Sequence, residues 1–260
     1  MCRTLKRRPA RAESPIGYTA PEKEPLLKTA VPTTSAPPSN PARASRRTSL
    51  KGRAAFLREF IKSPGTVAAV APSSPRLAAA MLRGLDVGSA RTIVEYGPGT
   101  GAFTRAVLDR IGPAWFAGAL TSPIGGAAAP TRRFIAIEYT RALADMLGQS
   151  HPEITVVHDS AANVVPICEA RGVRAGEVDC IISGLGWPSF TDELRSEILE
   201  GTAKMLKPGG EFRTFGYHVG LLMPGAWHFR REVRRLFREV HIGRVVWGNM
   251  PPAFVYRCVK

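Results

Sequence analysis

The stretch Glu95-Tyr96-Gly97-Pro98-Gly99-Thr100-Gly101 decides how this chain is read. Thr92 to Tyr96 is a short, mostly apolar and β-branched run, the pattern of a strand buried on both faces. Beyond Gly101, the residues Phe103, Val107, Leu108 and Ile111 recur at helical spacing. A strand that turns through three glycines into a helix brings backbone close to a ligand, because glycine has no Cβ and accepts left-handed conformations. The unpaired N–H groups at the helix start then face that ligand. A glycine-rich turn taken alone is common, so the residues around it must support the reading.

Working outward, strands and helices alternate, the pattern of a parallel sheet covered on both faces. The spacing predicts strands at Phe134 to Glu138, Thr155 to His158 and Val178 to Ser183, with helices through Leu143 and Met146 and from Leu194 to Leu206. Lys207-Pro208-Gly209-Gly210 is expected to end that helix and turn into a strand from Glu211 to Tyr217. Glu138 closes the second strand, where a carboxylate meets the ribose hydroxyls of a nucleotide-like ligand. It follows the glycine turn at roughly twice the ~20 residues usual for that acid. Gly112 to Thr131, rich in Gly, Ala and Pro, accounts for the excess and reads as an insertion, an inert surface loop rather than a lid or a membrane-facing loop. Asp159 follows the third strand directly.

The flanks carry other signals. Residues 1–49 contain ten Lys/Arg, three Asp/Glu and eight prolines, too little apolar surface to offset the entropy of ordering, so a disordered basic tail is expected ahead of a domain spanning 50–260. Of the net charge of +15, the tail holds +7 and the remaining chain +8, which suits an anionic partner, lipid or nucleic acid. From Leu50 to Lys62 the apolar residues Leu50, Ala54, Leu57 and Ile61 share a helical face while Lys51, Arg53, Arg58 and Lys62 take others. That is a basic amphipathic helix, suited either to packing on the core or to a membrane surface. Ser74-Pro75 reads as the start of a further helix through Leu77, Met81 and Leu82. A basic helix from about Trp227 to Val240 and a strand pair, Gly243 to Trp247 and Ala253 to Val259, are expected at the C-terminus. No run of about 18 apolar residues is present, and the basic N-terminus has no signal-type apolar core. With four scattered cysteines lacking metal-ligand spacing, the protein is expected to be cytoplasmic, with reduced thiols, no metal and at most peripheral membrane contact.

These features taken together resemble the bacterial phospholipid N-methyltransferases, relatives of the rRNA adenine dimethyltransferases. The resemblance rests on Phe56-Leu57-Arg58-Glu59-Phe60-Ile61, Ala71-Pro72-Ser73-Ser74-Pro75, the glycine turn with Phe103-Thr104, Ser183-Gly184-Leu185, and Asn249-Met250-Pro251-Pro252. It covers Leu50 to the C-terminus. It implies a Rossmann-like class I fold: a mostly parallel seven-stranded sheet with helices on both faces and a C-terminal antiparallel hairpin. It implies S-adenosylmethionine as methyl donor, a lipid amine of the phosphatidylethanolamine type as acceptor, and an anionic membrane surface met through Leu50–Lys62. By position, Gly97, Gly99 and Gly101 would line the methionine part of the cofactor, Glu138 the ribose and Asp159 the adenine, with Glu95 a further cofactor-binding residue of the turn. Ser183 and Gly184 would lie beside the reactive methyl group. Two departures fall on the acceptor side: Gly186 stands where such enzymes have proline after Ser-Gly-Leu, and the insertion precedes the second strand.

An amine acceptor must lose a proton before attack, since an alkylammonium has a pKa near 10.4. Tyr217 and His218 are candidate bases, and either could equally be a packed strand-end residue. Trp187 and Tyr139 could offer aromatic faces to a cation or serve as core. A nucleic-acid adenine N6-methyltransferase is the rival enzyme, but the stretch after the fourth strand is Ser183-Gly184-Leu185-Gly186, without the asparagine amide used to grip adenine. A non-catalytic cofactor-binding or membrane-binding module is the rival of another class. The oligomeric state is not legible.

Overall fold

The computed structural model describes residues 73–117 and 132–260, all within the compact unit Arg47–Lys260. The expected tail, the expected helix Leu50–Lys62 and most of the insertion lie outside the described residues. Helix α1 (Pro75–Met81) begins as expected: the Ser74 hydroxyl accepts a hydrogen bond from the Leu77 N–H, and Pro75 fills the first turn. Then come β1 (Thr92–Tyr96), α2 (Ala102–Ile111), α3 (Pro113–Ala117), β2 (Arg133–Glu138), α4 (Arg141–Ser150) and β3 (Thr155–His158). The chain continues with α5 (Val164–Glu169), β4 (Val178–Ser183), α6 (Asp192–Met205), β5 (Leu206–Tyr217), α7 (Pro224–Leu236), β6 (Glu239–Ile242) and β7 (Ala253–Val259).

The seven strands form one sheet in the order β3-β2-β1-β4-β5-β7-β6. Strands β1 to β5 pair in parallel, and β7 pairs antiparallel with both β5 and β6. Side chains alternate across the sheet and build two cores. Val94, Tyr96, Ile135, Ile137 and Ile181 pack with α5, α6 and α7; Ile93, Phe134, Ala136, Cys180 and Ile182 pack with α1, α2 and α4. Strand order reverses at β1 and β4, so a crevice opens at their carboxyl ends.

Three expectations are corrected. The inserted stretch is not all loop: α3 follows α2 at once, Trp115 is buried, and its Nε1 donates to the Ala90 carbonyl at 3.0 Å. Lys207 to Gly210 does not precede β5 but lies within it. Val178 pairs with Leu206 and Cys180 with Glu211, so these four residues bulge opposite Asp179, with Gly209 at φ +74°. At the C-terminus α7 starts earlier, at Pro224, and its apolar stripe of Ala226, Phe229 and Val233 ends at Phe237. The hairpin partner of β7, on the side away from β5, is therefore Glu239–Ile242. Residues 243–247 keep one bridge, Val246 to Ala253.

Candidate cofactor and acceptor site

Gly97, Gly99 and Gly101 all have positive φ, at +59°, +56° and +79°, a region that side chains with a Cβ enter at a cost. The turn is pinned from below: the Gly97 N–H donates to the Ile137 carbonyl at 2.9 Å and the Gly101 N–H to the Pro98 carbonyl at 2.9 Å. It is pinned from the side by Glu138. The Glu138 Oε2 accepts from the Gly99 N–H at 3.0 Å, and Oε1 accepts from the Thr140 N–H at 2.8 Å. Glu138 is buried, and its two oxygens retain lone pairs beyond these bonds.

Glu95 sits directly beneath the turn, fully buried. Its Oε2 accepts from the Thr104 hydroxyl at 2.7 Å, and Oε1 has no partner among the described residues. Burial pushes the Glu95 carboxyl up to about 8, against the opposing pull of the Thr104 hydrogen bonds and with a further push from Glu138. Asp159 follows β3, and its N–H donates to the Glu138 carbonyl at 3.1 Å. The Asp159 Oδ1 accepts from the Asn163 amide at 2.8 Å and from the Ser160 N–H at 2.6 Å, which hold its carboxyl below the usual range. The structure thus brings Glu95, the three glycines, Glu138 and Asp159 to one edge of the sheet.

On the other side of the crevice the backbones of the turn and of the segment after β4 touch. A Cβ added to Gly184 would fall 2.4 Å from the Gly97 carbonyl oxygen, and one on Gly97 would fall 2.8 Å from the Leu185 side chain. The Gly184 N–H donates to the Tyr96 carbonyl at 2.8 Å. Ser183 is fully buried, and its hydroxyl accepts from the Leu185 N–H at 3.2 Å. Beyond Gly184 an apolar pocket is lined by Leu185, Gly186, Trp187, Pro188, Phe215, Tyr217, Gly220 and Met223. Burial pushes the Tyr217 phenol up to about 12, so it keeps its proton at neutral pH. The His218 N–H donates to the Pro252 carbonyl at 2.8 Å, and its ring lies 5.9 Å from that of Trp247. Trp187 is core: buried, packed on Phe190, Phe212 and Phe229, with its Nε1 donating to the Thr214 hydroxyl at 2.8 Å. Tyr139 is exposed beside Glu138.

Sequence reasoning assigned no contact to four contributors, of which Thr104 and Asn249 entered only as parts of the family resemblance. Thr104 partners Glu95 from nine residues away, and Gly220 and Met223 reach the pocket from the turn after β5. Asn249 is buried between two segments: its Oδ1 accepts from the Ser74 N–H at 3.0 Å and its amide donates to the Pro251 carbonyl at 2.7 Å. The motif Asn249-Met250-Pro251-Pro252 was legible, but not this clamp, which joins Asn249 to Ser74 across 175 residues of chain.

No protein-family model matches the chain. An ornithine lipid N-methyltransferase of Singulisphaera acidiphila is 30% identical over 208 residues, covering 78% of this chain and 93% of that protein. The chain belongs to the bacterial lipid N-methyltransferase family. Its fold agrees with that of an O-methyltransferase from Bacillus cereus solved in complex with SAH, at TM-score 0.51 and 16% identity over 79% of this chain and 91% of the other. It also agrees with a SAM-dependent O-methyltransferase from Thermotoga maritima, at TM-score 0.50 and 14% identity over 79% and 71% of the two chains. This methyltransferase therefore uses S-adenosylmethionine. The crevice fits that cofactor. An orphaned acidic oxygen, Glu95 Oε1, lies under the turn, and at Gly99 an added Cβ would meet nothing within 4 Å. Among the described residues no helix is long and apolar enough to cross a membrane.

Proposed function

We propose that this methyltransferase transfers methyl groups to the amine of a membrane lipid, of the phosphatidylethanolamine type or of the ornithine type named for its relative. The observation that carries the reading is the 30% identity to an ornithine lipid N-methyltransferase over 93% of that protein. The apolar pocket beside Gly184 supports it, because such walls suit an uncharged amine better than an ammonium.

In this reading the glycine turn and Glu95 hold the methionine part of the cofactor, Glu138 its ribose and Asp159 its adenine. When bound, S-adenosylmethionine supplies an activated methyl group on a sulfonium, so the protein's own task is alignment and exclusion of water. Gly184 and the segment to Trp187 shape the acceptor side, and Ser183 acts through its backbone because its hydroxyl is turned inward to Leu185. Tyr217 stays protonated and serves as a neutral hydrogen-bonding group; His218 or water takes the amine's proton. The domain spans 50–260, residues 1–49 form a basic tail, and Leu50–Lys62 lies on anionic membrane in a peripheral, cytoplasmic enzyme.

The test is incubation of the full chain and methyl-labelled S-adenosylmethionine with vesicles containing phosphatidylethanolamine, with vesicles containing ornithine lipid and, separately, with ribosomal RNA. Label is expected in lipid. Label in RNA alone would replace this function with the nucleic-acid reading, and no label anywhere would leave a binding module.

A further inference from the structure

The surface around the mouth of the acceptor pocket is unusual for this molecule. Leu222 is 91% exposed, Trp227 69% and Trp247 70%, whereas Trp115 and Trp187 are each only 2% exposed. All three belong to or adjoin the turn 218–222. The turn 218–222 connects them: the Trp227 Nε1 donates to the Leu221 carbonyl at 3.1 Å, and Trp247 lies 5.9 Å from the His218 ring. Gly220 and Met223 of the same stretch line the pocket, so Leu222 projects from its lip.

Charge is arranged beside this turn. On α7, Trp227, Arg230, Arg231 and Arg234 fall at spacings of three and four residues, on one helix face, and together line a shallow cleft. The remaining charged residues of the helix are spoken for: Glu232 accepts from Arg195 and Ser196, and Arg235 pairs with Glu200. Arg230, Arg231 and Arg234 have no carboxylate partner among the described residues, and the Arg230 Nε is buried without a hydrogen-bond partner. Exposed tryptophans next to unpaired arginines match the layered chemistry of a bilayer surface, where indoles settle at headgroup depth and guanidiniums meet phosphates.

We propose that the face formed by Leu222, Trp227 and Trp247, with Arg230, Arg231 and Arg234, docks on an anionic lipid bilayer, so that the mouth of the acceptor pocket opens onto the headgroup layer. The proposal rests on the lipid-amine reading for its purpose, and it adds a membrane contact separate from Leu50–Lys62. A lipid amine then reaches the pocket without leaving the membrane.

The two exposed tryptophans make the test direct, since Trp115 and Trp187 are shielded. The full chain is mixed with phosphatidylglycerol vesicles brominated on the acyl chains and free of any amine lipid. Tryptophan emission is expected to be quenched. Trp227→Phe with Trp247→Phe should remove most of the quenching while the thermal midpoint stays unchanged. Arg230→Gln with Arg231→Gln should weaken vesicle binding by roughly ten-fold. Vesicle flotation without quenching would overturn the proposal, as would absence of binding, or emission that responds to single-stranded RNA but not to vesicles. A parallel assay supplies labelled S-adenosylmethionine with vesicles containing phosphatidylethanolamine or ornithine lipid: quenching on the amine-free vesicles with no label in these lipids would sink the proposed function and leave this docking face standing. Methylated lipid without quenching would do the reverse.

Discussion

Gly99 shows how one position joins backbone, cofactor and carboxylate. Its φ of +56° disfavours any side chain, and its Cβ would point into open space rather than into protein. Gly99→Val is therefore expected to leave the fold intact and to cut S-adenosylmethionine affinity sharply; calorimetric affinity equal to wild type would contradict this. At Glu138, Ala should cost the bond from the Gly99 N–H and, with it, the proposed ribose contact, a loss of roughly ten-fold to a hundred-fold in affinity for charge-assisted bonds of about 1.5–3 kcal/mol. Glu95 gives a pH signature. Its folded-state value of about 8 lies above the 4.5 of an ordinary glutamate, so between these limits the folded apoprotein holds a proton that the unfolded chain has released. Stability from this group is full below about 4.5 and is lost as pH rises through 8. Urea unfolding across that range should show the decline in wild type and less of it in Glu95→Gln; identical slopes would rule it out. The glycines were legible in sequence because only a few backbone conformations demand them. The Glu138 bond to Gly99 was not, since it joins residues 39 apart.

At the scale of elements, β1 to β4 could be read to within a residue, because β1 and β4 are short apolar runs buried on both faces and little else produces that pattern. The C-terminal elements were misplaced for a physical reason. The stretch after Phe237 is basic and amphipathic in either periodicity, and pairing with β7 rather than local propensity selects Glu239–Ile242 as strand. The bulge in β5 was likewise invisible, because it depends on the register with β4. Packing of α6 against α7 hangs on Arg195, which is buried, bonds to Glu232 at 2.9 Å, pairs with Asp192 and donates to the Phe190 carbonyl at 3.2 Å. Arg195→Ala would strand Glu232 in a largely buried site and is expected to destabilise the fold by about 3–5 kcal/mol. Chemical denaturation measures this, and a change under about 1 kcal/mol would show that the pair is dispensable.

For the whole molecule, the sheet order places the glycine turn, Glu138 and Asp159 on the β1–β2–β3 side of the crevice and the apolar pocket on the β4–β5 side, so in the proposed function donor and acceptor meet at the switch point. In the proposed membrane reading the +15 charge serves location rather than chemistry. If Leu50–Lys62 and the rim of the pocket both touch the membrane, the contacts reinforce each other through effective concentration. Phe56→Glu with Leu57→Glu is accordingly expected to lower flotation on anionic vesicles at least ten-fold, to leave cofactor affinity unchanged, and to make the residual binding weaken with salt. Undiminished flotation would remove this helix from the membrane contact. The most direct measurement of the central claim is the destination of labelled methyl groups when the full chain meets amine-bearing vesicles and ribosomal RNA together. Label in the lipid amine is the predicted result, and label confined to RNA would contradict it.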